Sequence, residues 1–221
     1  MVVNLSDEGH GSTARSVAQQ ADGKLVVGGW VESMKVSAVH AAMIRLDPSG
    51  GLDPTFNAGE MDLAGAGSQE VLPLVGGSSD WVNVAVSASG AIVVQGNVDG
   101  TMGDFALAGY SASGAVDPTF GQNGVVTTDF SGSQDRALAL RLQPDGKVLV
   151  CGSSGGEFAL ARYLATGALD TTFGTGGKVV LTLDPNGANC RDLSFQSDGS
   201  IIAGGNINGT LNPGVLVRLA P

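Results

Sequence analysis

Residues Ala137–Leu183 read ALALRLQPDGKVLVCGSSGGEFALARYLATGALDTTFGTGGKVVLTL. Four short apolar runs stand out in it: LALRL, KVLVCG, FALARYL and KVVLTL. Turn chemistry separates them. Pro144-Asp145-Gly146 is a hairpin signal between the first two runs. Gly152 to Gly156 breaks the second from the third, and Thr166-Gly167 opens the break before the fourth. Each run is about five to seven residues, the usual strand length, and none sustains a helical period. The stretch predicts one four-stranded antiparallel meander.

The remainder of the chain repeats this unit. The second run recurs as DGKLVVGGW (Asp22–Trp30), SGAIVVQGN (Ser89–Asn97), DGKVLVCGS (Asp145–Ser153) and DGSIIAGGN (Asp198–Asn206). The third recurs as AAMIRL (Ala41–Leu46), FALAGY (Phe105–Tyr110), FALARY (Phe158–Tyr163) and GVLVRL (Gly214–Leu219). The arm that follows occurs three times, from Leu52, Val116 and Leu169, as LDPTFNAG, VDPTFGQNG and LDTTFGTGG. Last-strand signals are VVNL (Val2–Leu5), a degraded GEMDLAG (Gly59–Gly65), VVTTDF (Val125–Phe130) and VVLTL (Val179–Leu183). Copies lie about 53 to 67 residues apart, the spacing of a repeat architecture.

VRLAP ends the chain where a fourth arm would begin, and VVNL stands near its start where such an arm would finish. Every strand type then has four copies, and a ring can close without exposed edges. The expected fold is all-β, a β-propeller with four blades of four antiparallel strands, the ring closed by the N-terminal strand. It is one domain over 1–221, with repeats at about 12–64, 79–130, 135–183, and 188–219 plus 2–5. The pattern DGK-VVAG … FALARY … G-LDTTFGTGGKVV resembles the delta-sixty repeat, found in tandem in bacterial proteins, often secreted or at the cell surface. The resemblance implies a propeller-like fold and a secreted or surface location, and it supplies no catalytic residues. A ring shared by two copies of the chain is the competing arrangement.

Composition narrows the function classes. The chain has 221 residues, a formal net charge of −10, 35 glycines, 43% apolar and 5% aromatic content. An acidic surface repels duplexes and anionic membranes, so nucleic-acid binding through a basic patch is not expected. No apolar run reaches membrane-spanning length, and MVVNLSDEGH lacks the basic and apolar regions of a signal peptide. Cys151 and Cys190 are too few for a disulfide framework and lack metal-ligand spacing. Two small, partly buried thiols are the default expectation for them, although both fall on one face of the propeller.

With strands labelled a to d outward, a–b hairpins and c–d arms share one face. The b–c and d–a connections share the other, vary in length, and are where binding is expected. The longest are Trp30–His40 (b–c) and Gly65–Asp80 (d–a). They group Trp30, Glu32, Lys35, His40, Glu70 and Trp81, an aromatic platform with polar groups that suits a sugar or peptide. The competing reading has Trp81 packing between blades and Trp30 covering a loop. Arg15 and Arg191 begin a strands at equivalent positions and could flank an anion at the channel mouth, with Asp192 the nearest candidate partner of Arg191.

Asp53, Asp117 and Asp170 of the arms read as turn caps rather than calcium ligands, with Phe56, Phe120 and Phe173 as anchors beneath the blades. The sequence contains no P-loop or H-E-x-x-H motif. His10 sits in a single loop with Asp7, Glu8 and Ser12, too loose for a triad. Asn83 and Asp192, both on a strands, are the weak signal for a metal-dependent hydrolase or lactonase. The expected function is a non-enzymatic binding or scaffold module for a protein, peptide or glycan, with no cofactor, as a monomer or homodimer. A repeat block with no independent function is a third reading.

Overall fold

The structure is a computed structural model that describes residues 11–33, 38–57, 68–70, 82–98, 103–130, 132 and 134–221. Its described residues form antiparallel strands gathered in four sheets. Sheet 1 holds β1 (Ser12–Gln19), β2 (Leu25–Ser33), β3 (Ala38–Leu46) and β4 (Ser68–Glu70). Sheet 2 holds β5 (Asn83–Val86), β6 (Ile92–Val98), β7 (Asp104–Tyr110) and β8 (Val125–Thr128). Sheet 3 holds β9 (Asp135–Leu142), β10 (Val148–Ser154), β11 (Glu157–Tyr163) and β12 (Lys178–Leu181). Sheet 4 has three strands, β13 (Ala188–Phe195), β14 (Ile201–Ile207) and β15 (Gly214–Leu219). Each sheet is a meander in chain order, as the repeat predicts.

The a–b turns follow from local chemistry. In Asp22-Gly23-Lys24, Asp145-Gly146-Lys147 and Asp198-Gly199-Ser200, the aspartate accepts a hydrogen bond from the amide two residues on. The glycine between has φ near +85°, where a side chain would be strained. The same register irregularity recurs in three a–b pairs, at Ala14/Ser16, Cys151/Gly152 and Cys190/Asp192. There the a strand pushes a carbonyl against the b strand, and a Cβ on Gly29, Gly152 or Gly205 would collide with it.

The core lies between sheets rather than within one. Val26, Ala41 and Met43 of sheet 1 pack on Val84, Ile92 and Val94 of sheet 2. Phe105 and Leu107 of sheet 2 pack on Leu140 and Val150 of sheet 3. Leu149, Phe158 and Leu160 of sheet 3 pack on Leu193, Ile201 and Ala203 of sheet 4. The innermost strands follow one another in space as β1, β5, β9 and β13.

The two outer faces of this series each carry an exposed core-type residue. Val17 of β1 matches Val84, Leu140 and Leu193, which are buried against the preceding sheet, yet it is 61% exposed. Leu216 of β15 matches Met43, Leu107 and Leu160, which are buried against the following sheet, yet it is 78% exposed. The expected closing strand, Val2–Leu5, lies outside the described residues.

Three expectations are corrected. The long b–c loop Trp30–His40 is mostly strand: β2 runs to Ser33 and β3 starts at Ala38 with Val31↔His40 and Glu32↔Val39 in register. The backbone ladder continues past the apolar run that marks it in sequence. The last strand of the first repeat is Ser68–Glu70, inside the stretch read as a d–a loop, and it pairs with Ala42–Ile44. It carries no apolar signal, because an outermost strand can hold its place by backbone pairing alone. Cys151 and Cys190 are a disulfide rather than two thiols, with Cα atoms 5.6 Å apart. Sheet packing brings the b strand of sheet 3 and the a strand of sheet 4 together, which sequence spacing alone does not reveal.

Candidate functional site

The b–c and d–a connections leave every sheet at the same end. At the junction of sheets 2 and 3, three carboxylates meet there. Asp104 opens β7, Asp129 follows β8, and Asp135 opens β9. One oxygen from each lies within 4.8 Å of the others. Local hydrogen bonds shape the loop between them. Gly132 N–H donates to Asp129 Oδ1 at 2.6 Å, and Phe130 N–H donates to Asp135 Oδ2 at 2.7 Å. Asp135 N–H donates to the Gly103 carbonyl at 3.0 Å.

Phe130 anchors this loop. Its ring meets Phe105 edge-on at 4.8 Å, and Lys178 Nζ lies 5.7 Å from the ring centre. The same ammonium donates to the Asp129 carbonyl at 3.0 Å. Asp135 is 2% exposed, and its Oδ1 accepts no hydrogen bond. Burial, and then the charges of Asp129 and Asp135, push the Asp104 carboxyl above its ordinary value.

The arms on the opposite end behave as turn caps and anchors. Asp53 Oδ1 accepts from Thr55 N–H and Oγ1–H, and Asp170 Oδ1 accepts from the same atoms of Thr172. What the sequence reading missed is the cation that each buried aspartate faces. Arg45 Nε donates to Asp53 Oδ2 at 2.9 Å, and Lys24 Nζ reaches the same oxygen at 2.9 Å. Arg162 Nε and Lys147 Nζ repeat this at Asp170, at 2.8 and 3.2 Å.

Each guanidinium also lies over the arm phenylalanine, Phe56 at 4.7 Å and Phe173 at 4.6 Å. At Asp53 burial works against ionisation, but Thr55, Lys24 and Arg45 outweigh it and hold the carboxyl far below the usual range. At Asp170 the Thr172 hydroxyl leads, and with Lys147 and Arg162 it overrides burial to the same effect. Sheet 2 has Gly109 at the arginine position, and Phe120 fills the space a side chain would need. The signal was present: Arg in the third run and Lys after Asp-Gly occur together in the first and third repeats and are both missing from the second.

The other named residues are dispersed. Trp30 is half-buried on β2, opposite Thr13 and Ala41. Glu32 and His40 fall at the same end of the β2–β3 hairpin, and Glu70 lies on β4 opposite Ala42. Lys35 and Trp81 are outside the described residues, as is His10. Arg15 and Arg191 are both exposed, on the innermost strands of sheets 1 and 4.

Arg191 Nε donates to Asn206 Oδ1 at 3.0 Å, while Asp192, its expected partner, pairs with Arg141. Side chains on neighbouring strand positions point to opposite faces, which explains the exchange. Asn83 Nδ2 donates to Gln95 Oε1 and the Leu138 carbonyl, so it serves the packing of sheets 2 and 3. A cleft of about 620 Å³ lies on the a–b hairpin face between Val86–Ala91 and Leu142–Gly146. That is the end opposite the expected binding face.

Residues 20–56 and 143–173 match a family described as "Domain of unknown function (DUF5122) beta-propeller". Both segments are similar to the repeats of that family. They are also the two that carry the Lys–Arg–Asp–Thr–Phe arrangement, so the match follows the arm-locking residues of blades 1 and 3.

Among solved structures, a protein of unknown function from Dyadobacter fermentans DSM 18053 superposes with TM-score 0.58 at 11% identity, covering 99% of this chain and 68% of its own. A DUF4623 family protein from Bacteroides eggerthii DSM 20697 gives TM-score 0.51 at 12% identity. That superposition covers 92% of this chain but only 42% of the Bacteroides protein. These likenesses are of fold alone. No curated protein matches the sequence.

Proposed function

We propose that this chain is a non-enzymatic binding or scaffold propeller that recognises a protein, peptide or glycan through the b–c/d–a face. The observation that carries this reading is the Asp104–Asp129–Asp135 cluster on that face. Like charges gathered together work against stability, and such groups concentrate where function requires them. Trp30, Glu32 and His40 extend the same face at blade 1. The enzymatic alternative rested on Asn83 and Asp192, and each of these has a structural partner.

The finer architecture belongs to the same proposal. Blade 4 has three strands among the described residues, and Val2–Leu5 is a last-strand motif, which supports a ring of four blades closed by that segment. Closure would cover both Val17 and Leu216. The tandem motifs favour the delta-sixty repeat within the broader propeller family. The Cys151–Cys190 disulfide supports an oxidising, secreted or surface location.

Peptide and glycan arrays probed with the labelled chain test the binding role. A specific hit is expected whose affinity falls at least about tenfold in Trp30→Ala or Glu32→Ala, and is unchanged in Ser89→Ala on the opposite face. Arrays without a hit, or a hit lost only in Ser89→Ala, would overturn it.

A further inference from the structure

We infer that Asp104, Asp129 and Asp135 together bind a divalent, oxygen-preferring cation, calcium above all, at the junction of blades 2 and 3. The donor set is all carboxylate, which selects hard cations over zinc or copper. Calcium sits about 2.3–2.6 Å from its oxygens, so two ligands on opposite sides of it are up to roughly 5 Å apart. The three carboxylate oxygens fall inside that span, within 4.8 Å of one another. They come from three different strand ends, which suits the flexible coordination of calcium better than the strict octahedron of magnesium.

A second observation points into the same place. Asp135 is almost wholly buried, and while its Oδ2 accepts the Phe130 amide, its Oδ1 accepts nothing. A buried carboxylate oxygen without a partner is costly, and the usual remedy is a cation. Lys178 does not supply that remedy: its ammonium donates to the Asp129 backbone carbonyl, and Asp135 Oδ1 stays without a partner.

The repeat itself shows that the fold does not need this carboxylate. Asp135 opens the a strand of blade 3 and pairs with Ser154, the last residue of its b strand. Ala188 opens the a strand of blade 4 and pairs with Ile207, the last residue of its b strand, and Ala188 is fully buried. An alanine therefore satisfies the same position one blade on. Blades 2 and 3 share an acidic cluster that blades 3 and 4 lack, although the scaffold beneath is the same. The inference stands apart from whatever macromolecule the face recognises, because it concerns the ion alone.

The test uses the full chain, stripped of metal with EDTA and dialysed, with calcium chloride as probe. Thermal unfolding is followed with calcium, with magnesium, and with sodium chloride at matched ionic strength. With the affinity typical of extracellular calcium modules, 10 mM calcium should raise the midpoint by about 3–10 °C over the sodium control, and magnesium by less.

Asp135→Ala copies the residue blade 4 uses, so it should fold, match or exceed the wild-type midpoint without metal, and lose the calcium increment. Asp104→Asn should weaken calcium binding by titration calorimetry at least tenfold, while Asp198→Asn, on the opposite face, should leave it unchanged. A calcium increment no larger than that of sodium, or one retained by Asp135→Ala, would overturn the assignment.

Discussion

Arg45, Arg162 and Arg218 hold one position of the repeat and meet two environments. Arg45 and Arg162 are buried, each locked to an arm aspartate and lying over an arm phenylalanine. Among the described residues no arm lies beside Arg218; it turns instead to Asp198, Gln196 and Ser200, with 60% of its side chain exposed. Exposed pairs contribute little, whereas removing one partner of a buried pair leaves an uncompensated charge. Arg162→Ala should therefore lower unfolding free energy by about 3 kcal/mol, and Arg218→Ala by about 1 kcal/mol or less. Denaturant titration of both variants checks this, and equal losses would contradict the contrast.

The arm caps and anchors were legible because Asp-Xaa-Thr-Phe acts within its own turn. The ion pair was not, because its arginine lies eight positions away and meets the aspartate only once the arm folds back. The acidic cluster was invisible for a related reason: Asp104 and Asp135 are brought together by packing between blades.

At the scale of elements, the disulfide ties the b strand of blade 3 to the a strand of blade 4. Cys151 on β10 and Cys190 on β13 are both buried within the core shared by blades 3 and 4. The bond closes a loop with a sequence separation of 39. Loop-closure entropy for that length corresponds to about 4 kcal/mol, less whatever structure the reduced unfolded chain retains. Reduction, or the pair Cys151→Ala and Cys190→Ala, should lower the unfolding midpoint substantially. An unchanged midpoint would mean that the link adds nothing to the packing of blade 4.

Strand order and hairpin positions were readable from apolar runs and Asp-Gly turns, since both are local. Two elements were not. The β2–β3 hairpin extends through Glu32 and His40, where the backbone ladder outlasts the apolar pattern. The outermost strand β4 is polar throughout, so nothing in its composition marks it as a strand.

For the whole molecule, the blades stack through three cores, and each core joins the following-side face of one blade to the preceding-side face of the next. Blade 1 exposes Val17 on its preceding-side face, and blade 4 exposes Leu216 on its following-side face. The two faces are of complementary type, as the three internal junctions show. The repeat count and the all-β class followed from sequence periodicity. How the end faces are covered does not, because one pair of faces can meet within a chain or between two chains. The proposed four-bladed ring makes them meet within one chain.

Light scattering across a wide range of concentrations decides between these arrangements. A constant mass near the 22.1 kDa of a single chain is the result the closed scaffold predicts. A concentration-dependent rise to a dimer or longer assembly, abolished by Leu216→Glu, would show the end faces meeting between chains and contradict it.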